Sequence, residues 1–416
     1  MSIILTGLNS YRNRGVEALA VTTIDGLTRH LPGHNITNIA NDVKYNALRM
    51  TREHVTQFEF DHWSTNNRLA RRFGAIGKIF KSKISPAGHE LEKQIASASL
   101  AVASGGDNFS SDYGIPYEFT WPMQFAADRG VPTVLIGQSI GPFRRLRDAE
   151  VFMQMCTKID RITVREQISY DYLTQDLKLP AEKIEKTADS AFLLPIEDET
   201  WSESLLSHWG FTENRPRIAV SISGGISKFT DANRSLHRTR MAALIRELAK
   251  RYDAQILVVP HVIDPAPQND DLAEAAAVME ELGWPRDVQL AVGEFNASQY
   301  KGLIARCDLL VAERMHAAIA GLSSTVPTVV ISYSIKAPGI MAEVLGADRV
   351  EAFVEPMADF LEHDRVYEKI QDAWANRDAV RQDLAAALPA VREQADRNYQ
   401  IAAELVTAKA GGDAKP

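Results

Sequence analysis

Short apolar runs rich in Val, Ile, Leu and Ala recur along the chain, and longer stretches with helical spacing of apolar positions lie between them. Runs that stay apolar on consecutive positions suit strands buried on both faces of a parallel sheet. The pattern predicts strands at Ile3–Thr6, Leu100–Ala103, Thr133–Ile136, Arg161–Val164, Arg217–Ile222, Gln255–Val259, Leu309–Ala312 and Thr328–Ile331. Helices are expected at Glu17–Leu31, Tyr117–Arg129, Asp148–Lys158, Ile168–Asp176, Arg238–Tyr252, Leu272–Leu282, Ala297–Ala305, Met315–Leu322 and Ile340–Leu345. Strands that alternate with helices of this size form βαβ units, so the fold class is α/β with mostly parallel sheets.

At 416 residues the chain is long for one core, and two Rossmann-like domains facing a cleft are expected. Pro195, the acidic run Glu197-Asp198-Glu199 and Pro216 mark a hinge. The expected division is 1–195, a hinge at 196–216, a second domain at 217–365, C-terminal helices at 366–407 and a frayed tail at 408–416. A formal net charge of −8 argues against a general nucleic-acid binder. Two cysteines, Cys156 and Cys307, without metal-ligand spacing fit a reducing cytoplasm and no disulfide framework. No apolar run is long enough to span a membrane, and the N-terminus reads as a first strand, not a signal peptide. A second placement, at the inner face of a membrane, comes from the stretch 68–83. There Arg68, Arg71, Arg72, Lys78, Lys81 and Lys83 alternate with apolar residues and no acid intervenes. Such a patch suits an anionic membrane surface or a phosphate-bearing acceptor; a solvated helical face is the plainer reading.

Polar residues and glycines gather where the predicted strands end, which is where open α/β sheets bind ligands. Glu313-Arg314-Met315-His316 stands between a strand and a helix. There Arg314 offers a planar fork for a carboxylate or phosphate and His316 a proton donor. A structural Arg314 tied to Glu313 is the alternative. Lys336 follows the next strand as a second cation or a solvated lysine. His261 after Pro260 and Arg165 at a helix start are further contact candidates. Gly105-Gly106 and Gly224-Gly225 let backbone N–H groups approach a ligand or merely form tight turns. Neither fits a Walker or dinucleotide pattern. Asp107, beside the first pair, is placed to take a proton from a sugar hydroxyl. No metal-ligand cluster is evident.

Asn13-Arg14-Gly15-Val16-Glu17-Ala18, Gly105-Gly106-Asp107, Gly137-Gln138-Ser139-Ile140-Gly141-Pro142, Val164-Arg165-Glu166, Ala188-Asp189-Ser190-Ala191-Phe192, Ser221-Ile222-Ser223-Gly224-Gly225 and Glu313-Arg314-Met315-His316-Ala317 occur in one order. Together they resemble the polysaccharide pyruvyl transferase family, from about Gly7 to Leu345. The resemblance implies a GT-B-like fold and transfer of pyruvate from phosphoenolpyruvate onto two hydroxyls of one sugar, forming a cyclic ketal and releasing phosphate. It implies no cofactor, phosphoenolpyruvate being the donor substrate, and a sugar or lipid-linked oligosaccharide as acceptor. The family's R-x-H motif falls on Arg314 and His316, and its Arg-acid motif on Arg165 and Glu166. Asn13 and Glu17 fall on the family's early Asn-x-Gly-Asp-Glu-Ala motif, in which Val16 replaces the Asp. Asp107 stands where a third Gly is common. On this reading His316 is the general acid, Asp107 the base, and Arg314, Lys336 and Arg165 the cations that hold the donor. Two rivals stay open: a nucleotide-sugar glycosyltransferase on the same frame, and a degenerate member that only binds glycan.

Overall fold

The computed structural model describes residues 1–59, 86–110, 117–226, 233–266, 268–334 and 336–412. The basic stretch 68–83 lies outside the described residues. Two parallel sheets organise the chain. The first has seven strands in the order β3-β2-β1-β4-β5-β6-β7, and the second six in the order β10-β9-β8-β11-β12-β13. In the first sheet these are β1 (Ser2–Thr6), β2 (Asn35–Ala40), β3 (Val55–Glu59), β4 (Leu100–Ser104), β5 (Thr133–Gln138), β6 (Arg161–Val164) and β7 (Ile184–Lys186). In the second they are β8 (Arg217–Ser221), β9 (Gln255–Val258), β10 (Val288–Leu290), β11 (Leu309–Ala312), β12 (Thr328–Ser332) and β13 (Val354–Pro356). All eight predicted strands are present.

The sequence explains the crossovers. Asp198, Asn233, Asp270 and Asn296 each cap a helix by accepting backbone N–H bonds, and Asn296 with Gln299 completes a capping box. Gly283 then ends the helix Asp271–Leu282 in a left-handed conformation, φ 77°. Because every pairing in the second sheet is parallel, its strands end along one edge. That edge gathers the loops after β8, β9, β10, β11 and β12.

Two compact units result, and they are not contiguous in sequence. One holds Met1–Tyr11, Leu19–Ser190 and Asp396–Pro416; the other holds Arg12–Ala18 and Ala191–Ala395. The boundary expected at 195 compares with a break after Ser190, and the start of the chain contributes seven residues to the second unit.

Within the segment expected as a hinge the chain forms a docked helix, Glu199–His208. Trp201 stacks edge-on against Phe295 at 5.7 Å, and Ser202 is buried under Gly302, where a Cβ would sit 2.6 Å from its Oγ. The acidic run that suggested a linker is the helix's N-cap and first turn, where carboxylates suit the dipole. The expected tail also differs: the helix Arg377–Gly412 runs through residues 408–412.

Candidate functional site

The exits of β8, β9 and β11 share one buried carboxylate. Asp271, fully buried at the start of its helix, accepts the N–H groups of Gly224 at 2.8 Å, Val262 at 2.9 Å and His261 at 3.2 Å. Arg314 grips the same carboxylate with Nε at 3.0 Å and Nη2 at 2.6 Å. Burial pushes the Asp271 carboxyl above its usual range, and Arg314 and the N–H groups of Gly224 and Val262 oppose that shift. The guanidinium is therefore fixed in one plane. Its anchor is Asp271, not the neighbouring Glu313.

Glu313 points elsewhere. Its carboxylate accepts the Ser223 N–H at 2.7 Å and lies 2.7 Å from Nε2 of His237, which is buried on the helix Arg234–Tyr252. Burial works against a charge on His237, but Glu313 and Glu274 outweigh it and carry its pKa up to about 9. Burial also opposes ionised Glu274, yet His237 and Arg238 hold its carboxyl down at about 2. The strand exits thus rest on a buried ionic layer.

Above that layer lies the turn that opens the chain's first helix, Arg14–His30. Asn13 bridges to Val262, Arg14 N–H donates to the His261 carbonyl at 2.8 Å, and Asn13 Oδ1 accepts the Gly15 N–H at 2.9 Å. A Cβ at Gly15 would lie 2.3 Å from Nδ1 of His316, so only glycine lets the imidazole sit here. Arg14 is buried, with Nη2 3.4 Å from Glu294 and Nη1 3.7 Å from Glu17. Glu17 in turn accepts the Ala297 N–H at 3.0 Å. His261 is buried beside Tyr300, with ring centroids 5.7 Å apart. Burial pushes its pKa down to about 3, and the positive charges of His316, Arg314 and Arg14 act in the same direction. Two guanidiniums and the imidazole of His316 therefore surround one neutral imidazole. Such a place suits an anion with more than one negative charge.

A family model for polysaccharide pyruvyl transferase matches residues 13–335. The chain belongs to the polysaccharide pyruvyl transferase family. It is 22% identical to the amylovoran biosynthesis protein AmsJ of Erwinia amylovora, over 93% of this chain and 95% of that one. Among solved structures it is similar to HepE of Anabaena in complex with UDP and glucose, with TM-score 0.60, 14% identity, and 98% and 100% of the two chains covered. It is also similar to UDP-GlcNAc 2-epimerase of Neisseria meningitidis, with TM-score 0.59, 10% identity, and 96% and 99% covered. These likenesses show the fold, the GT-B-like α/β architecture expected from the sequence.

Within this family member, Arg314, His316, His261, Lys336, Gly224, Gly225, Asn13 and Glu17 all belong to the second unit. Lys336 is buried and begins the helix after β12, the strand next to β11. Several of these residues have local duties that the sequence did not reveal. Gly224 N–H serves Asp271 and Gly225 N–H serves Ser223 Oγ at 3.2 Å, so these amides are committed within the fold. Gly224 is also required for packing: a Cβ would meet the Asp270 carbonyl oxygen at 2.5 Å. Asn13 caps a helix start and Glu17 ties that helix to Ala297.

Arg165, Asp107, Gly105 and Gly106 belong to the first unit. Arg165 is buried, donates to Ser139 Oγ at 2.8 Å and pairs with Asp189 at 2.5 Å. It locks two family motifs together. Glu166 caps its own helix through Ser169 N–H at 2.6 Å. Asn108 takes the space above Gly105 and donates to the Gly7 carbonyl at 2.9 Å, while the Gly106 carbonyl accepts Ser139 N–H at 2.8 Å. Asp107 is half-buried in that turn.

Sequence reasoning missed Arg14, Asp271, His237 and Glu294. Arg14 sat inside a quoted motif, but nothing in a string with Arg12 nearby says which guanidinium turns inward. Asp271 follows Asp270, and either could have been the N-cap. Among the described residues no group of three His, Cys, Asp or Glu side chains is arranged to hold a metal, and no helix is long and apolar enough to cross a membrane.

Proposed function

We propose that this chain transfers pyruvate from phosphoenolpyruvate to two hydroxyls of one sugar in a polysaccharide or its precursor. The convergence of Arg14, Arg314 and His316 around neutral His261 carries this reading. Phosphoenolpyruvate brings a carboxylate and a phosphate on adjacent atoms, and a fixed cation cluster matches that charge. The relative AmsJ, named for amylovoran biosynthesis, supports a polysaccharide setting.

The chemistry follows from the side chains. His316 gives a proton to the methylene carbon, which leaves C2 electron-poor. A sugar hydroxyl oxygen bonds to C2, the C2–O bond to phosphate breaks, and a second hydroxyl closes the ketal. Of the two hydroxyl protons released, one replaces the proton spent on carbon and the other leaves with phosphate. Arg314, held in plane by Asp271, offers a preorganised donor contact with no reorganisation when the substrate arrives.

In His316→Ala, turnover measured by acceptor-dependent phosphate release should fall by roughly 10²- to 10⁴-fold. Titration calorimetry should show phosphoenolpyruvate affinity changed far less. Unchanged turnover removes His316 from the chemistry. Thermal stabilisation by UDP- or GDP-sugars, with none by phosphoenolpyruvate, moves the chain to the nucleotide-sugar glycosyltransferase reading.

A further inference from the structure

The loop after β10 presents a solvent-facing carboxylate on an unusually firm mount. Phe295 meets Trp201, Trp209 and Tyr300 with ring centroids 5.7, 5.9 and 5.5 Å away. Asn296 starts the next helix with a capping box, and Ala297 N–H is held by Glu17. Between these anchors the side chain of Glu294 is 65% exposed, with Oε2 3.4 Å from buried Arg14 Nη2. The residue after Arg14 is Gly15, which walls the imidazole of His316. The exit of β10 lies on the same sheet edge as the exits of β9 and β11.

Holding an exposed carboxylate costs side-chain entropy, and Arg14 already has a buried partner in Glu17. A carboxylate is also acceptor-only, with two oxygens spaced to take two hydroxyl protons from one sugar. We propose that Glu294 receives the acceptor sugar. Its two oxygens accept hydrogen bonds from the hydroxyl pair, and one takes the proton of the attacking hydroxyl. As that O–H bond breaks, the oxygen bonds to C2 of the donor, and the proton on Glu294 leaves with phosphate. This assignment rests on the pyruvyl-transfer reading and gives that site its acceptor side.

The test uses the full chain as wild type, Glu294→Gln, Glu294→Asp and His316→Ala. Saturation-transfer NMR reads binding of methyl galactoside, glucoside and mannoside; calorimetry reads phosphoenolpyruvate; and phosphate release reads turnover. Glu294→Gln should lose the sugar signal and about 10²-fold in turnover, keep phosphoenolpyruvate affinity within about threefold, and be partly rescued by Asp. His316→Ala should keep the sugar signal. An equal sugar signal in Glu294→Gln overturns the assignment, as does a wild type that binds none of the sugars. Loss of phosphoenolpyruvate binding in Glu294→Gln overturns it too, since Glu294 would then act through Arg14. A sugar signal that depends on Glu294 in a wild type that ignores phosphoenolpyruvate keeps Glu294 as the sugar contact and removes the donor reading.

Discussion

The contact between Gly15 and His316 is the narrowest fit in the second unit's site. A methyl group 2.3 Å from Nδ1 requires either the imidazole or the helix start to move. The helix start is pinned by Asn13 to Val262 and by Arg14 to His261, so the imidazole is the softer partner. In Gly15→Ala we expect turnover to drop by roughly 10²-fold, because a displacement of about 1 Å at a reacting group costs that much. The melting temperature should move little by comparison. Wild-type turnover in that variant would show that His316 has room to spare. His261 plays another part at this scale. With its pKa down at about 3 it stays neutral near pH 7, so it is no ready general acid and stands as an uncharged ring beside the two guanidiniums.

At the scale of elements, the helix Arg234–Tyr252 is coupled to the sheet by charge as well as by apolar packing. His237 sits between Glu313 at the end of β11 and Glu274 on the next helix, with a pKa up at about 9 against an ordinary 6.5. A group that binds its proton more tightly when folded stabilises fully below its unfolded pKa and loses that contribution as pH rises through its folded one. Stability should therefore decline between about pH 6.5 and 9, by up to about 3 kcal/mol from this group. Denaturant titration across that window should show the decline, and His237→Gln should be less stable at pH 6.5 with the slope flattened. A wild-type curve that is level from pH 6.5 to 9 would show that His237 is not charged in the native state.

The same element scale explains what the sequence could and could not disclose. The predicted strands form four neighbouring inner strands of each sheet, β1-β4-β5-β6 and β9-β8-β11-β12. Every residue of β4, β5, β8, β9 and β11 is buried, so both faces of these strands are apolar and the run is continuous. The missed strands are the outer ones. β3 reads Val-Thr-Gln-Phe-Glu, β7 Ile-Glu-Lys and β13 Val-Glu-Pro, where partial exposure admits polar residues and short length removes any period. The site followed the same logic. Arg314 and His316 were visible because they interrupt a buried strand-to-helix passage, and Asp271 was not, because its carboxylate is enlisted by distant backbone.

The whole molecule is woven from both ends of the chain. The first unit is closed by residues after 395: Tyr399 is fully buried and fills the space against Gly26, where a Cβ would meet its ring at 2.2 Å. Asn398, also buried, donates to the Ala188 carbonyl at 3.0 Å and accepts Thr187 Oγ1 at 2.8 Å and the Thr163 hydroxyl. The second unit is completed from the other end by Arg14 and Glu17. Cutting the chain between Ser190 and Ala191 therefore leaves one fragment without Asn398 and Tyr399, and the other without Arg14 and Glu17. Each orphaned buried hydrogen-bonding group costs about 1–3 kcal/mol and a lost core aromatic about 3–5 kcal/mol, against a total stability of about 5–15 kcal/mol. Fragments 1–190 and 191–416 should each lack a cooperative melt when expressed alone, and co-expression should restore one. A native-like, cooperative melt from 191–416 by itself would show that the second unit does not depend on the first turn of the chain's first helix. In that case Arg14 would be an addition to a finished unit and not part of its frame.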